Sequence, residues 1–331
     1  MNDGAAAISE LVAGLRAHGG EGMAAVVAYG SQVTSAGPGR HSAHDLFVVV
    51  DGYRDFYGSL RASGHAGRNA GMLSMVSRIL APTVIAFRPA APDGPLAKCA
   101  VASRHDLARE MGRHRRDHFC LGRMMQQVSV VYTRDEEVAA WVDATVAGGR
   151  GLAPDWTLPF LDAPFSVDAF CRRMLEVSYA GEIRPEQRSR VGTVYEAQKQ
   201  YLRDTYTPIL DARVAGGVLE ASGGRYRFVV HPSRLVRLRW NAYFAVSKAR
   251  ATARWLKHVM TFDNWISYVI RKVERRTGMA VEITSLERRL PFPFLLPKAW
   301  RVLRSRDSTA RIPPAPRGRK VAVTEPENRT P

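Results

Sequence analysis

Two short apolar runs, separated by a polar connection, most constrain how this chain can fold. The first run, Val26–Tyr29, ends in Gly30 and Ser31, and the second, Leu46–Val50, is preceded directly by Asp45. Such runs, bounded by turn residues, predict two neighbouring strands. A glycine at a strand end lets the backbone approach a phosphate, and a serine hydroxyl and nearby amides can bind phosphate oxygens. A carboxylate on the next strand can hold Mg²⁺ against the same phosphates. The pair of runs therefore favours nucleotide chemistry, although Gly-Ser after a strand also occurs in ordinary tight turns.

Positive charge is concentrated in the last third of the chain. The whole chain has 48 Lys and Arg against 31 Asp and Glu, a formal net charge of +17. Residues 231–331 hold 22 of the basic residues and 7 of the acidic ones, whereas residues 1–230 are nearly neutral, with 26 against 24. Apolar side chains are interleaved with these charges, which argues against a merely solvated basic face. This region is expected to bind a polyanionic surface, either a nucleic acid or an anionic membrane.

Length and cysteine content narrow the class of protein. At 331 residues the chain is long enough for two subdomains with a sizeable core. Cys99, Cys120 and Cys171 are widely spaced, which argues against a disulfide framework or a cysteine-based zinc site and is typical of a reducing compartment. No basic segment precedes an apolar run at the N-terminus, and every window of about eighteen residues contains a charge. Neither a signal peptide nor a membrane-spanning helix is therefore expected.

Hydrophobic periodicity along the chain predicts a protein of the α/β (α+β) class. Apolar runs predict strands at 24–29, 46–50, 83–87, 98–102 and 225–230. Apolar residues at helical spacing predict helices at 8–18, 72–79, 104–126, 165–179 and 193–206 and within 232–276. Ser166 is the expected N-cap of the helix that follows it. Strands and helices alternate up to about residue 105, so a mixed sheet with helices is expected in this part of the chain.

Several short motifs together resemble those of one enzyme family. They are Ala28-Tyr29-Gly30-Ser31, His44-Asp45-Leu46-Phe47-Val48-Val49-Val50-Asp51, Lys98-Cys99-Ala100-Val101, Gly122-Arg123-Met124 and Glu176-Val177-Ser178-Tyr179-Ala180-Gly181-Glu182-Ile183-Arg184. On these motifs, residues 24–210 resemble the mitochondrial translocator assembly and maintenance family, the mitochondrial-type CDP-diacylglycerol synthases. The chain departs from the family pattern at Gln32, at Cys99-Ala100 and at Gln126 or Gln127, which stand where the family has Gly, Tyr-Gly and Lys.

The resemblance implies a reaction, a cofactor and an order of domains. The reaction joins CTP and phosphatidate to give CDP-diacylglycerol and pyrophosphate in phospholipid biosynthesis, with Mg²⁺ as cofactor. The implied fold is a nucleotidyltransferase-type mixed sheet in residues 1–115, followed by a helical domain, 116–225, that completes the active site. The charge pattern adds a basic amphipathic membrane-associating region, 226–306, and a Pro/Arg-rich tail, 307–331, that is expected to be disordered. CTP and phosphatidate in an anionic membrane surface are the expected partners, and no nucleic acid is expected.

The implied chemistry depends on positioning and charge neutralisation. A phosphomonoester nucleophile is already ionised near neutral pH, so no strong general base is required. The motifs and the resemblance assign nucleotide binding to Tyr29, Gly30, Ser31 and Lys98. They assign catalysis to Asp45, Lys98 and Glu182. Lys98 would neutralise the triphosphate or the leaving pyrophosphate, although a lysine on a strand is also common at an exposed sheet edge.

Asp45 and Glu182 are the expected Mg²⁺ ligands. Two-metal transferases commonly use Asp-x-Asp on one strand, but here the partner position is Phe47. Asp51 has the matching strand parity, yet at about 3.3 Å per residue it lies about 20 Å from Asp45. A second ligand must then come from elsewhere. Glu182 is the candidate because it lies in the most family-like motif, and an exposed, salt-bridged carboxylate is the alternative reading of it.

Arg123, Arg184 and His65 are the residues expected to bind the phosphate of phosphatidate. Each guanidinium offers a planar, two-pronged donor, although it could instead cap a helix or pair with a carboxylate. His65 stands where the family pattern has a histidine. His41 and His44 lie nearby in sequence and raise the idea of metal binding, but histidines scattered without ligand spacing are typical of polar loops.

Aromatic and aliphatic residues alternate with basic ones between Trp240 and Arg276. At a membrane, aromatic rings lie at headgroup level while Lys and Arg reach the anionic phosphates. The residues expected to contact the membrane are Trp255, Lys257, Trp265, Arg271 and Lys272. Leu290–Pro297 is a second apolar candidate for insertion, and a helical core against the catalytic domain is the alternative for part of each helix. The protein is expected to be peripheral, on the cytoplasmic face of the cell membrane.

Two other functions remain open from the sequence. A nucleotidyltransferase acting on RNA, of the tRNA-end or poly(A) type, would explain the basic third and the Gly-Ser and Asp pair equally well. It leaves the Ser178–Arg184 motif unexplained, and its usual Asp-x-Asp is missing. A non-catalytic relative that kept the fold is favoured by the same missing aspartate.

Overall fold

A five-stranded mixed sheet lies at the centre of the structure, a computed structural model that describes residues 3–34, 43–89, 94–181 and 189–261. The strands in chain order are β1 (Met23–Tyr29), β2 (His44–Val50), β3 (Thr83–Phe87), β4 (Ala97–Ser103) and β5 (Ser129–Thr133). Across the sheet the order is β3-β4-β2-β1-β5; β2 and β4 are parallel, and the other neighbours are antiparallel. The α/β class predicted from the sequence is confirmed.

Helices pack against both faces of this sheet. In chain order they are α1 (Asp3–Gly19), α2 (Tyr53–Ala62), α3 (Ala70–Ile79), α4 (Arg104–Met111), α5 (Phe119–Met124), α6 (Glu136–Gly151), α7 (Ala153–Thr157), α8 (Val167–Ala180), α9 (Ser189–Ala197), α10 (Lys199–Ala215) and α11 (Arg234–Thr261). A short 3₁₀ turn, Leu158–Phe160, follows α7. A separate hairpin consists of β6 (Leu219–Ser222) and β7 (Arg225–Phe228).

The structure differs from the sequence-based expectation in where two predicted helices break and in elements that the sequence did not predict, among them β5 and α6. The predicted helix 104–126 is two helices, α4 and α5, with Gly112 at the C-cap of α4. The predicted helix 193–206 is also broken, at Gln198 between α9 and α10. Strand β5 completes the sheet from beyond residue 115, so the chain returns to the sheet after the boundary predicted for the first domain.

Strand alternation divides the side chains of the sheet between two cores. Leu46 and Val48 face the core formed with α1, α2 and α3. Phe47 and Ala100 face the core formed with α4, α5, α6 and the helices that follow. Strands β2 and β4 are therefore apolar on both faces, as expected for the centre of a covered sheet. Because alternation is strict, adjacent residues such as His44 and Asp45 lie on opposite faces.

Helix α11 is held to the rest of the protein by a buried charge cluster. Asp117, only 1% exposed, accepts hydrogen bonds from Arg250 Nε at 3.0 Å and Arg254 Nη2 at 2.7 Å. Its other oxygen accepts the amide of Phe119 at the start of α5, at 3.0 Å. Burial alone would raise the pKa of the Asp117 carboxyl, but Arg254, the Phe119 amide and Arg250 together hold that pKa below its ordinary value. The cluster joins α11 to the α4–α5 connection.

Lys257, near the end of α11, points into the protein and forms hydrogen bonds at the start of β3 and in the segment just before it. Its ammonium group contacts the carbonyl oxygen of Leu80 and lies 3.1 Å from that of Pro82 and 3.0 Å from Thr83 Oγ1. Burial and the neighbouring charge of Arg254 lower the pKa of Lys257 to about 6. A side chain that is 6% exposed and fully engaged with protein oxygens does not meet lipid. The prediction that Lys257 contacts the membrane is therefore wrong.

The other residues predicted to contact the membrane fall outside what the structure describes. Trp255 belongs to α11, but its side chain is not described. Trp265, Arg271 and Lys272 lie outside the described residues, as does the segment 290–297. Within the described ranges, no helix combines the length and apolar content needed to cross a bilayer.

Asp117→Asn should lower the free energy of unfolding by about 3–5 kcal/mol, because the charge of Arg254 would remain buried without a carboxylate. Asp51→Asn is the matched control. The Asp51 carboxylate also pairs with two arginines, Arg104 and Arg134, but its side chain is 42% exposed, so its loss should cost under about 1 kcal/mol. Urea unfolding of both variants measures the difference, and equal losses would contradict a special role for the buried cluster.

Candidate active site

One row of side chains crosses three adjacent strands at one end of the sheet. The strand register pairs Asp45 on β2 with Tyr29 on β1 and with Lys98 on β4. Alternation places the three side chains on the face that Phe47 and Ala100 share, the face covered by α4, α5 and α6. Neighbouring strands are about 4.8 Å apart, so residues from three separate sequence motifs become direct neighbours.

Position 30 requires a glycine for two reasons, its backbone conformation and the lack of space for a side chain. Its φ of +83° lies in the left-handed region that side-chain-bearing residues rarely adopt. A Cβ added to Gly30 would lie 2.9 Å from Oδ2 of Asp45 and 3.6 Å from the Cβ of Asp45. The glycine backbone therefore lies directly against the Asp45 carboxylate. The glycine predicted to permit close approach of a phosphate is also what makes room for the carboxylate.

The chain after Gly30 makes a tight hydrogen-bonded turn. The Gly30 carbonyl accepts the amides of Val33 at 3.0 Å and Thr34 at 3.2 Å, and the Thr34 hydroxyl at 3.3 Å. Residues 31–34 form this turn, and residues 35–42 are outside the described ranges. The turn places Ser31, a half-buried residue, beside the end of β1.

Arg123 on α5 extends the row on the β1 side. Its guanidinium carbon lies 3.4 Å from the ring centroid of Phe119 and 5.9 Å from that of Tyr29. Its Nη1 donates to the carbonyl oxygen of Phe119 at 2.8 Å. Stacking on a ring and bonding to the backbone restrain a guanidinium plane. The structure thus brings together Tyr29, Asp45, Lys98 and Arg123. Two basic side chains and one carboxylate therefore lie on one partly buried surface.

The predicted histidine lies on the other face of the sheet. The ring of His65 stacks on that of His18 at 3.9 Å and lies 5.5 Å from the ring of Phe87, which belongs to the core of α1, α2 and α3. Its ring nitrogens lie 2.9 Å and 3.2 Å from the carbonyl oxygens of Ser63 and Pro89. His65 is therefore not brought together with Arg123, which corrects the expectation that both bind one phosphate.

His44 also belongs to the face opposite Asp45. Burial lowers the pKa of its imidazole, and the charge of Asp45 opposes that shift only in part. Burial likewise raises the pKa of the Cys99 thiol, and Asp45 adds to the rise. Both groups are therefore neutral near pH 7. Because both side chains lie on the face opposite Asp45, neither is placed to share a metal ion with it.

If Mg²⁺ binds at the row, Asp45 is the carboxylate among the described residues that would hold it. Phe47 is fully buried, and Asp51, at the far end of β2, pairs with Arg104 and Arg134. Within the described ranges no group of three or more His, Cys, Asp or Glu side chains could hold a metal ion. Glu182 and Arg184 lie outside the described residues. Mg²⁺ commonly binds one or two carboxylates plus substrate phosphates, so a carboxylate against an open glycine backbone fits this ion.

A network of amides that the sequence did not reveal borders the row. Oε1 of Gln126 lies 3.3 Å from Nε2 of Gln198 and 3.4 Å from the hydroxyl of Tyr179. Oε1 of Gln198, which is 3% exposed, accepts the amide of Gln127 at 2.9 Å. Gln126 and Gln127 lie just before β5, which pairs with β1 beside Tyr29. The sequence pointed to Gln126 and Gln127 because they depart from the family pattern. Nothing in the sequence pointed to Gln198, which lay inside a predicted helix.

The last family-like motif is anchored by α11. Gly181, which ends α8, packs so closely on Phe244 that an added Cβ would lie 2.4 Å from the ring. The hydroxyl of Ser247 donates to the Gly181 carbonyl at 3.0 Å and accepts the amide of His118 at 3.0 Å. A side chain at Gly181 would separate α8 from α11. The position of Gly181 at the end of α8 therefore depends on α11.

Comparison with known proteins leaves the family open. No protein-family model matches the chain, and none of the curated proteins compared with it is significantly similar. The motif resemblance and the activity it implies therefore stay predictions. Evidence for a function therefore comes from the geometry of the row of Tyr29, Asp45 and Lys98 and from the chemistry of these side chains.

Gly30→Ala should destabilise the protein more than Gly64→Ala does. Both glycines have positive φ, +83° and +78°, so each alanine costs about 1–2 kcal/mol of backbone strain. Nothing lies within 4 Å of a Cβ at Gly64, whereas at Gly30 the methyl would have to displace the Asp45 carboxylate. Urea unfolding of the two variants isolates that contact. Equal losses would show that the carboxylate moves away without cost.

Proposed function

We propose that this chain is a Mg²⁺-dependent phosphatidate cytidylyltransferase, which converts CTP and phosphatidate to CDP-diacylglycerol and pyrophosphate. The observation that carries the proposal is the row of Tyr29, Asp45 and Lys98, with the Gly30 backbone directly against the Asp45 carboxylate. A carboxylate, a lysine and an open glycine backbone on adjacent strands suit a triphosphate with its metal ion. The choice of CTP and phosphatidate comes from the motif resemblance.

The proposed reaction is a single displacement at phosphorus. A phosphate oxygen of phosphatidate forms a bond to the α-phosphorus of CTP. The bond from that phosphorus to the oxygen bridging to the β-phosphate breaks, and its electron pair leaves with pyrophosphate. Because the second pKa of a phosphomonoester is about 6, the nucleophile is ionised at neutral pH and no protein base has to remove a proton.

The residues of the row have separate tasks in this reaction. The turn at Gly30 and Ser31 would bind phosphate oxygens, and Lys98 would neutralise the charge that passes to pyrophosphate. Arg123, beside Tyr29, would hold the phosphatidate phosphate through planar donors. Asp45 would hold Mg²⁺, and Glu182 is the second ligand predicted from the sequence. Bound Mg²⁺ would neutralise phosphate charge.

The proposal includes a peripheral location on the cytoplasmic face of the cell membrane. Phosphatidate has two acyl chains and stays in the bilayer, so its enzyme has to work at the interface. The net charge of +15 in residues 231–331 supports attraction to anionic lipid. The rival functions, transfer to RNA and a non-catalytic role, make different demands on substrate and are separated by one assay.

That assay measures CTP-dependent release of pyrophosphate by the full chain, with phosphatidate vesicles or with tRNA as acceptor. We expect release with phosphatidate and CTP, dependent on Mg²⁺, and none with tRNA. Release with tRNA alone would establish the RNA enzyme instead. No release with either acceptor, from protein shown to be folded, would favour the non-catalytic relative.

Asp45→Asn should abolish pyrophosphate release while leaving the folded state intact. The substitution keeps the side-chain shape against Gly30 but removes the charge that would hold Mg²⁺. Asp51→Asn, directly after the far end of the same strand, is the matched control and should keep full activity. Circular dichroism checks the fold of both. Activity of Asp45→Asn above roughly a tenth of wild type would remove Asp45 from the proposed role.

Ser31→Ala should weaken apparent CTP affinity by about 1–2 kcal/mol, through loss of one hydrogen bond to phosphate. Ser63→Ala is the control, since the Ser63 hydroxyl bonds to backbone carbonyls in the connection after α2. Initial rates over a range of CTP concentrations give the apparent affinity of each variant. An unchanged value for Ser31→Ala would count against a phosphate-binding turn.

A further inference from the structure

Helix α11 has a second apolar face, opposite the one that packs on the protein. The inward face carries buried side chains such as Phe244, Ser247 and Arg254. On the outward face Leu235 is 75% exposed and Leu238 is 63% exposed, and further exposed apolar residues follow along the helix. The outer face of a helix at a protein surface is normally polar, and a helix that is apolar all round is normally buried. The outward face of α11 therefore lacks a partner among the described residues.

Exposed apolar side chains also occur at the ends of the β6–β7 hairpin, which directly precedes α11 in the chain. Of the ten large apolar side chains that are exposed in the described residues, seven fall between 218 and 246. They are Val218, Val229, Val230, Leu235, Val236, Leu238 and Val246. The amide of Val229 donates to the carbonyl of Val218 at 3.2 Å, which joins the two ends of the hairpin. Concentration of exposed apolar side chains in one region is typical of an interaction surface.

Apart from Glu220, the charged residues in the stretch of chain that forms this surface are all basic. The sequence has nine Lys and Arg and no Asp or Glu between Glu220 and Asp263. Arg250, Arg254 and Lys257 are turned inward by the contacts described above. The exposed basic side chains that remain beside the apolar ones include Arg225, Arg227, Arg234 and Arg239. Glu220 lies opposite Arg227 in the hairpin and offsets only that charge.

We propose that this surface, the outer face of α11 together with the ends of the β6–β7 hairpin, binds the headgroup layer of an anionic membrane. Exposed Leu and Val side chains can enter the boundary of the acyl chains while arginines contact lipid phosphates. A nucleic acid would match the arginines but offers no apolar counterpart to the leucines. The inference rests on the proposed function, because a lipid substrate requires contact with a bilayer. It assigns that contact to side chains outside the set predicted from the sequence.

The test is flotation of the full chain with phosphatidylcholine vesicles that contain or lack phosphatidylglycerol. The double variant Leu235→Glu/Leu238→Glu should lose at least about tenfold in partitioning to the anionic vesicles. The matched control is Met75→Glu/Ile79→Glu on α3, where two side chains are 57% and 66% exposed but lie outside this surface. The control should partition like wild type, and thermal unfolding should show both variants folded.

The arginines give an independent test of the same surface. Arg234→Gln/Arg239→Gln should reduce partitioning to anionic vesicles and weaken its dependence on salt. Binding of the wild type to purely zwitterionic vesicles should be much weaker than to anionic ones. Equal binding to both kinds of vesicle would overturn the electrostatic part of the proposal.

Turnover of a water-soluble, short-chain phosphatidate separates the surface from the reaction. The leucine variant should lose vesicle binding and keep this turnover. Wild type that binds anionic vesicles but turns over no phosphatidate would overturn the proposed function and leave the surface standing. Wild type that turns over the soluble substrate but does not bind vesicles would overturn the surface alone.

The other candidate occupants each predict a distinct result. If a second copy covers the surface, the leucine variant changes the oligomeric state in light scattering and not the flotation. If residues 262–331 cover it, the variant loses thermal stability and partitions as before. If RNA binds it, the variant loses RNA affinity while flotation is unchanged. Each of these results would overturn the membrane proposal.

Discussion

One buried carboxylate, that of Asp117, holds the longest helix of the structure in place. It takes two arginines from α11 and the first amide of α5, so one side chain connects two elements that lie far apart in sequence. Around it, Phe244 and Ser247 secure the end of α8, and Lys257 secures the start of β3. These contacts are made by the inward face of α11. On the opposite face Leu235 and Leu238 remain exposed.

The core of the candidate site could be predicted because its signals are local. A short apolar run ending in glycine, and another opened by an aspartate, are patterns of a few residues, and they placed Gly30 and Asp45 on neighbouring strands. The structure adds the register, in which Asp45 lies between Tyr29 and Lys98. The parallel pairing of β2 with β4 is a long-range contact, so the sequence suggested that Lys98 was relevant without showing what it faces.

The predictions for Lys257 and His65 were wrong for physical reasons. Lys257 belongs to a helix that is apolar on two faces, and periodicity cannot tell which of them is inward. Its partners, the oxygens of Leu80, Pro82 and Thr83, lie more than 170 residues earlier in the chain. His65 matched a family position, but the packing of α2 and of the connection after it sets His65 on the far face of the sheet. In both cases tertiary packing, which short motifs do not encode, decides the direction of a side chain.

The contact between α8 and α11 connects the two halves of the proposed function. Phe244 presses on Gly181 from the inward face of α11, and Val246, two residues later, is on the outward face. Glu182, the expected second metal ligand, follows Gly181 directly. A bilayer that held the outward face would therefore also hold the end of α8. Gly181 is needed for this connection because an added Cβ would lie 2.4 Å from the ring of Phe244, so that even a methyl group would force the two helices apart.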